Sequence, residues 1–143
     1  MRWSLTHSTN QLHFWKMEGD ECNAEIKYNE QVKSFRLTAG DKRLFFIERV
    51  GFLQNKYILR TEYSIVAGEM YPEKNWRSGI AIMEDKKSQY LLKDNLLALS
   101  SKKENFSLTI EVNDSNNLNP SELFALLFSS LRVLTKSHAA NLY

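Results

Sequence analysis

The residues of this chain best suited to chemistry are the basic side chains gathered between Lys74 and Lys103. Lys74, Arg77, Lys86, Lys87, Lys93, Lys102 and Lys103 stand there against Glu84, Asp85 and Asp94, a surplus of four positive charges. Trp76 and Tyr90 fall inside the same stretch. Ammonium and guanidinium groups beside an aromatic ring can hold an anionic headgroup, each basic group near a lipid surface contributing about 1 kcal/mol. The candidate ligand-binding residues are therefore Lys74, Trp76, Arg77, Lys86, Lys87 and Lys93. They act together only if hairpin ends bring them into one patch; otherwise they are solvated charges at turns. Single-stranded nucleic acid could use a similar mix of groups. A net charge of +2 over 143 residues argues against nucleic acid as a partner.

Residues for catalysis or metal binding are sparse. His7, His13 and His138 are far apart and form no metal-spaced pair. His13 lies between Leu12 and Phe14 and reads as a solvent-facing or hydrogen-bonded structural residue. Cys22 sits beside Asp20 and Glu21, whose charges would raise a thiol pKa and weaken it as a nucleophile. The acid pairs Asp20-Glu21 and Glu84-Asp85 both fall at expected turns, where carboxylates are usually solvated or capping. The sequence holds no nucleophile elbow and no phosphate-binding glycine loop. The expectation is a non-enzymatic protein with no catalytic residue, metal or cofactor.

The element that must position everything else is the C-terminal stretch. Asn119 is a good N-cap, Pro120 suits the first helical position, and Glu122 stands where a capping-box acid belongs. Leu123, Phe124, Ala125, Leu126 and Phe128 point right round such a helix, with Ser129, Ser130 and Arg132 as interruptions. A helix apolar on every side must be buried on every side. Its apolar run is about 12 residues, short of the roughly 20 that span a bilayer. The spacing predicts a core helix over 120–136, with a short frayed tail after it.

Almost everything before it reads as strand. Runs alternate at 11–17 and 24–28, with Trp15 and Met17 sharing a face with His13. Leu44, Phe45, Phe46 and Ile47 follow one another, which predicts a strand buried on both faces. Tyr63 to Ala67 reads as a strand, Gly68 as a turn or close approach, and Tyr71 to Asn75 as a loop. Trp76 to Met83 reads as a strand with Ile80 and Ile82 on one side, and Leu108, Ile110 and Val112 alternate near the end of the series. An antiparallel sheet of about ten strands is near the size at which sheets curl or close, and closure removes exposed edges. The fold class is thus mainly β: an antiparallel barrel or strongly curled sheet of about ten strands around a C-terminal hydrophobic core helix, in one domain over 1–143.

The residues Leu44-Phe45-Phe46-Ile47-Glu48-Arg49, Gly51-Phe52, Asn55-Lys56-Tyr57-Ile58-Leu59 and Val66-Ala67-Gly68-Glu69-Met70, followed by Trp76 and the apolar helix, resemble the tubby C-terminal-like group. That group includes the LURP-one-related proteins and the phospholipid scramblases. The resemblance spans roughly Leu44 to Leu134, and this chain is shorter than typical members. It implies a closed antiparallel barrel around a hydrophobic helix, and a surface role at anionic lipid, since some members bind phosphoinositides through basic strand residues. No position of this chain is matched to those residues. A lipocalin-like or fatty-acid-binding barrel is the other closed fold, and a half-barrel completed by a dimer partner is a third arrangement.

A single cysteine allows no internal disulfide, and Met1 to Trp15 lacks the apolar core and cleavage site of a signal peptide. Both point to a cytoplasmic location, which would leave the sequons at Asn105 and Asn113 as chance. The functional expectation is a binding module that contacts anionic lipid headgroups or a protein partner through its outer surface. The alternative is a small barrel carrying an apolar ligand.

Overall fold

In the computed structural model, residues 1–19, 23–51 and 55–141 are described, with side chains up to 135. Cys22, the Asp20-Glu21 pair, Phe52 and the side chains of Lys136 and His138 lie outside the described residues.

Eleven strands close into one barrel. They are β1 (Arg2–Ser8), β2 (Leu12–Glu18), β3 (Asn23–Asn29), β4 (Ser34–Ala39), β5 (Asp41–Val50), β6 (Lys56–Thr61), β7 (Val66–Pro72), β8 (Ser78–Met83), β9 (Lys86–Lys93), β10 (Leu96–Ser101) and β11 (Phe106–Val112). Consecutive strands pair antiparallel. An odd number of alternating strands can close only through one parallel joint. That joint is β1 to β11, with Arg2 opposite Glu111 and Trp3 opposite Val112. Helix α1 (Pro120–Asn141) follows, running beyond the expected end at Lys136.

The helix fills the barrel. Leu123 to Leu127 are at most 1% exposed and Phe128 is 3% exposed, so the all-round apolar pattern has its expected consequence. Trp3, Trp15, Met17, Ile26, Phe35, Phe45, Leu59, Met70, Leu92, Leu99 and Val112 belong to the same core. An aromatic cluster fixes one face of the helix. Phe128 meets Phe45 edge-on at 4.9 Å between centroids, and Phe45 stacks on Phe35 at 5.2 Å. The two serines that interrupt the apolar run are themselves fully buried. Trp3 Nε1 donates to Ser130 Oγ at 2.8 Å, and Ser130 Oγ donates back to the Leu126 carbonyl at 2.6 Å.

The space the helix occupies explains which side of β8 faces inward. On β8 the inward residues are Gly79, Ala81 and Met83, while Ile80 and Ile82 share the outer side. Bulk inside comes from the helix, so the wall facing it must be thin. Gly68 is likewise no turn residue. It pairs with Leu59 and Met83 within β7, and a Cβ there would lie 3.5 Å from Phe124 Cζ. β7 therefore continues to Pro72, through residues expected to form a loop, while 62–65, at the start of the expected strand, forms the turn instead.

β5 corrects the expectation of two-sided burial. Phe45 and Ile47 face the core, but Phe46 is 41% exposed and Leu44 half-buried on the outer face. The barrel wall is one layer thick, and among the described residues nothing covers Phe46 from outside.

Alternation of direction places every turn at one of two ends. Residues 9–11, 30–33, 73–77, 94–95 and 113–119 ring the end where the helix enters. Gly40 and residues 62–65, 84–85 and 102–105 ring the end where it leaves.

Candidate functional site

The six candidate residues do not form one patch. Lys74, Trp76 and Arg77 lie in the β7–β8 loop, and Lys93 ends β9, all at the helix-entry end. Lys86 and Lys87 begin β9 at the opposite end. At about 3.3 Å per residue, Lys86 and Lys93 are roughly 23 Å apart along the strand. Trp76 is half-buried against the core, not displayed as a platform. Its φ of 55° turns the chain in the left-handed region, its carbonyl accepts from the Tyr90 hydroxyl at 3.0 Å, and Arg77 lies over its ring at 5.5 Å. Glu84 and Asp85 form the tight β8–β9 turn, both with positive φ.

Antiparallel register assembles a different basic surface on the outer wall of β1 to β5. One row across the strands reads His7, Phe14, Lys27, Arg36, Leu44. The next reads Ser4, Lys16, Glu25, Thr38, Lys42. Lys16, Lys27, Arg36 and Lys42 thus converge on one shallow concavity of about 440 Å³ that Phe14 and His7 also line. Lys27 Nζ lies 5.7 Å from the Phe14 ring centroid, within cation–π range.

Among the described residues, none of its four cations is in an ion pair, as is also true of Lys74, Arg77, Lys86, Lys87 and Lys93. Arg43, Lys56, Arg60 and Lys33, by contrast, are paired with Glu62, Glu69, Glu48 and Glu30. Lys27 also stands directly opposite Arg36. Like charges facing across strands destabilise a sheet. Glu25, directly opposite Lys16, also lines the concavity.

These four residues are spread from position 16 to 42 over four strands, separated by apolar and acidic residues, so no basic run marks them in the linear sequence. Writing β2 to β5 as hairpins in register, with the apolar positions inward, would have found them.

A second polar cluster lies inside the helix-entry end. The Glu122 backbone N–H donates to Asn119 Oδ1 at 2.8 Å, so Asn119 caps the helix as expected. The Glu122 side chain, however, does not complete a capping box. It turns into the barrel, where Oε2 accepts from Trp15 Nε1 at 2.6 Å and meets His13 Nδ1 at 2.8 Å. The two inward ring nitrogens of β2 offer it stronger partners than its own helix terminus does. His13 is thereby a hydrogen-bonded structural residue, one of the two readings its position allowed. Glu122 is 1% exposed and its Oε1 has no hydrogen-bond partner among the described residues. Burial raises its carboxyl above the ordinary range, against the opposing hydrogen bonds of Trp15 and His13. Burial also acts to raise nearby Glu30, but hydrogen bonds from Lys33, Tyr28 and Asn119 outweigh it and hold Glu30 below its usual value.

A raised folded-state pKa means that the folded protein favours the protonated acid. Glu122 therefore supports folding most fully below its unfolded value near 4.5, and that support is lost as pH rises through the folded value. Glu122→Gln keeps an oxygen for Trp15 and removes the ionisation. Its melting temperature is expected to exceed wild type at pH 7.5, by about 2–4 °C per kcal/mol relieved, and to match it near pH 4. Calorimetry at the two pH values checks this, and a variant less stable at both would contradict it.

Among the described residues, no three His, Cys, Asp or Glu side chains are grouped to hold a metal ion, and no helix is long and apolar enough to cross a membrane. Comparison with family models, with curated proteins and with solved structures returns no match.

Proposed function

We propose that this protein is a non-enzymatic binding module that holds anionic lipid headgroups on the outer wall of β1 to β5. The observation that carries this reading is the convergence of Lys16, Lys27, Arg36 and Lys42, without partners among the described residues, on one concavity. Four basic groups at about 1 kcal/mol each would give a salt-sensitive attachment to an anionic surface. The reading includes a relation to the tubby C-terminal-like group, supported by the closed barrel around a C-terminal helix. It is favoured over a carrier of apolar ligands because Phe124, Leu127 and Phe128 take up the interior. The binding site moves, in this proposal, from the expected Lys74 to Lys93 stretch to the opposite side of the wall.

The test is co-sedimentation with vesicles of phosphatidylcholine alone or with added phosphatidylserine, at low and high salt. Wild type is expected to bind only the anionic vesicles and to release them in high salt. Lys27→Glu changes the surface by two charges, and binding is expected to fall about thirtyfold. Its stability should hold or rise, because glutamate would face Arg36. Lys87→Glu, at the other site, should bind as wild type does. Equal loss in Lys87→Glu, or none in Lys27→Glu, would refute the assignment.

A further inference from the structure

The outer half of β5 and the β6–β7 turn carry apolar side chains that the barrel does not use. Phe46 is 41% exposed, Val66 47%, Ile65 62% and Tyr63 76%. They are close neighbours: Phe46 pairs across to Arg60, Arg60 to Val66, and the turn holding Tyr63 and Ile65 closes that hairpin. Burial of such side chains is worth about 1.5–3 kcal/mol each, so leaving several in water forgoes stability.

The turn that presents them is well organised. The Thr61 N–H donates to the Ile65 carbonyl at 2.8 Å, and the Ser64 N–H to the Thr61 carbonyl at 3.0 Å. Thr61 Oγ1 accepts from the Tyr63 and Ile65 backbone N–H groups at 3.2 and 3.3 Å. Ser64 takes a φ of 63° to close the turn. These bonds order the hairpin turn that carries Tyr63 and Ile65, both exposed. The Arg43 guanidinium, 2.9 Å from Glu62, ties this turn to the start of β5, where Lys42 joins the basic wall.

We infer that the β6–β7 tip, Tyr63 and Ile65 with Phe46 behind them, inserts into the headgroup region of an anionic bilayer; this rests on the basic wall being the lipid-binding surface. Charge favours that occupant. Lys27, Arg36, Lys42, Arg43 and Arg60, with Glu25, Asp41, Glu48 and Glu62 among them, flank the apolar strip on the side of the basic wall, where the positive excess lies, while Glu69, Glu84 and Asp85 line a groove with Val66 on its other side. A second copy placed on the same face would set like charge against like. A bilayer supplies negative phosphates at the level of the cations and apolar depth at the level of the tip. A tyrosine suits the boundary itself, with an apolar ring and a polar end.

The test uses the full chain with Tyr63→Trp, and vesicles containing phosphatidylserine whose acyl chains carry bromine. Trp3 and Trp15 are buried in the core and Trp76 is half-buried at the opposite end of the barrel, so wild type supplies the background against which the new indole is read. The expected result is quenching of the introduced indole well beyond that of wild type, and only with anionic vesicles. The double substitution Tyr63→Ser, Ile65→Ser should fold normally and bind anionic vesicles about tenfold or more weakly, while keeping its salt sensitivity. Undiminished binding by the double variant without quenching would overturn the insertion and leave the basic wall as the binding surface. No binding by wild type would overturn both. A wild-type dimer that the double substitution splits, seen by sedimentation, would make the tip a contact between copies and overturn the insertion.

Discussion

Leu127→Asp is expected to leave no folded protein. Leu127 is 1% exposed on a helix that the barrel surrounds, so the new carboxylate would be withdrawn from water. Loss of a buried leucine side chain alone costs about 2–5 kcal/mol. Burying an unpaired charge adds several more. The sum approaches or exceeds the roughly 5–15 kcal/mol that holds a domain together. Collapse of near-ultraviolet circular dichroism and of amide dispersion in NMR spectra would record the result. Leu127→Met is the control, since a volume-conserving exchange usually costs less than about 1.5 kcal/mol. A Leu127→Asp protein melting near wild type would mean that the helix does not lie inside the barrel.

Gly79→Ala is expected to lower the melting temperature by about 10 °C. The cause is steric contact with backbone. A Cβ at Gly79 would overlap the Tyr71 carbonyl and lie 2.9 Å from Pro72 Cα, on the neighbouring strand, and 3.0 Å from Tyr90 Cε1. A side-chain end could rotate away, but two paired strands cannot part without losing their ladder. About 3 kcal/mol of overpacking converts to that shift at about 2–4 °C per kcal/mol for a chain of this size. Gly68→Ala supplies the comparison. Its Cβ would meet the Ile82 carbonyl and Met83 Cγ at 3.4 Å and Phe124 at 3.5 Å, close to ordinary contact. Its melting temperature should move little. Equal losses at both positions would refute the steric account of β8.

The helix and the class of fold were legible because one physical fact decides them: a segment apolar all round has nowhere stable to go except inside. The strand faces were legible where polar residues alternate, as in β2 and β3, whose inward Trp15, Met17, Ala24, Ile26 and Tyr28 follow the pattern. Ile80 and Ile82 do share one side of β8, but their spacing alone does not say which side faces inward. Gly79 and Ala81 face the core while Ile80 and Ile82 do not, because the helix has already supplied the volume. β5, expected to be buried on both faces, turns Phe46 to water, and Tyr63, Ile65 and Val66 of the strand expected over 63–67 are all exposed. A sequence shows that a side chain is apolar, not which partner it awaits.

The candidate residues are not gathered into one patch for a different reason. Proximity along the chain suggested Lys74 to Lys93, but β8 and β9 carry the chain from one end of the barrel to the other and separate those residues. Lys16, Lys27, Arg36 and Lys42 become neighbours only through the registers of four strands. Glu122 was placed correctly in its helix but not in its bonding. Its partners, His13 and Trp15, are more than a hundred residues away and are brought to it by closure of the barrel.

The most direct test of an outer-wall site on a helix-filled barrel is an NMR titration of the labelled protein with a short-chain phosphatidylserine below its micelle concentration. Amide shifts are predicted to concentrate on β2 to β5 around Lys16, Lys27, Arg36 and Lys42, to disappear in high salt, and to leave Phe124 and Leu127 unmoved. Shifts centred on the helix and the inward residues would contradict the account and make the barrel a carrier. Shifts centred on Lys74 to Lys93 would contradict the location of the site.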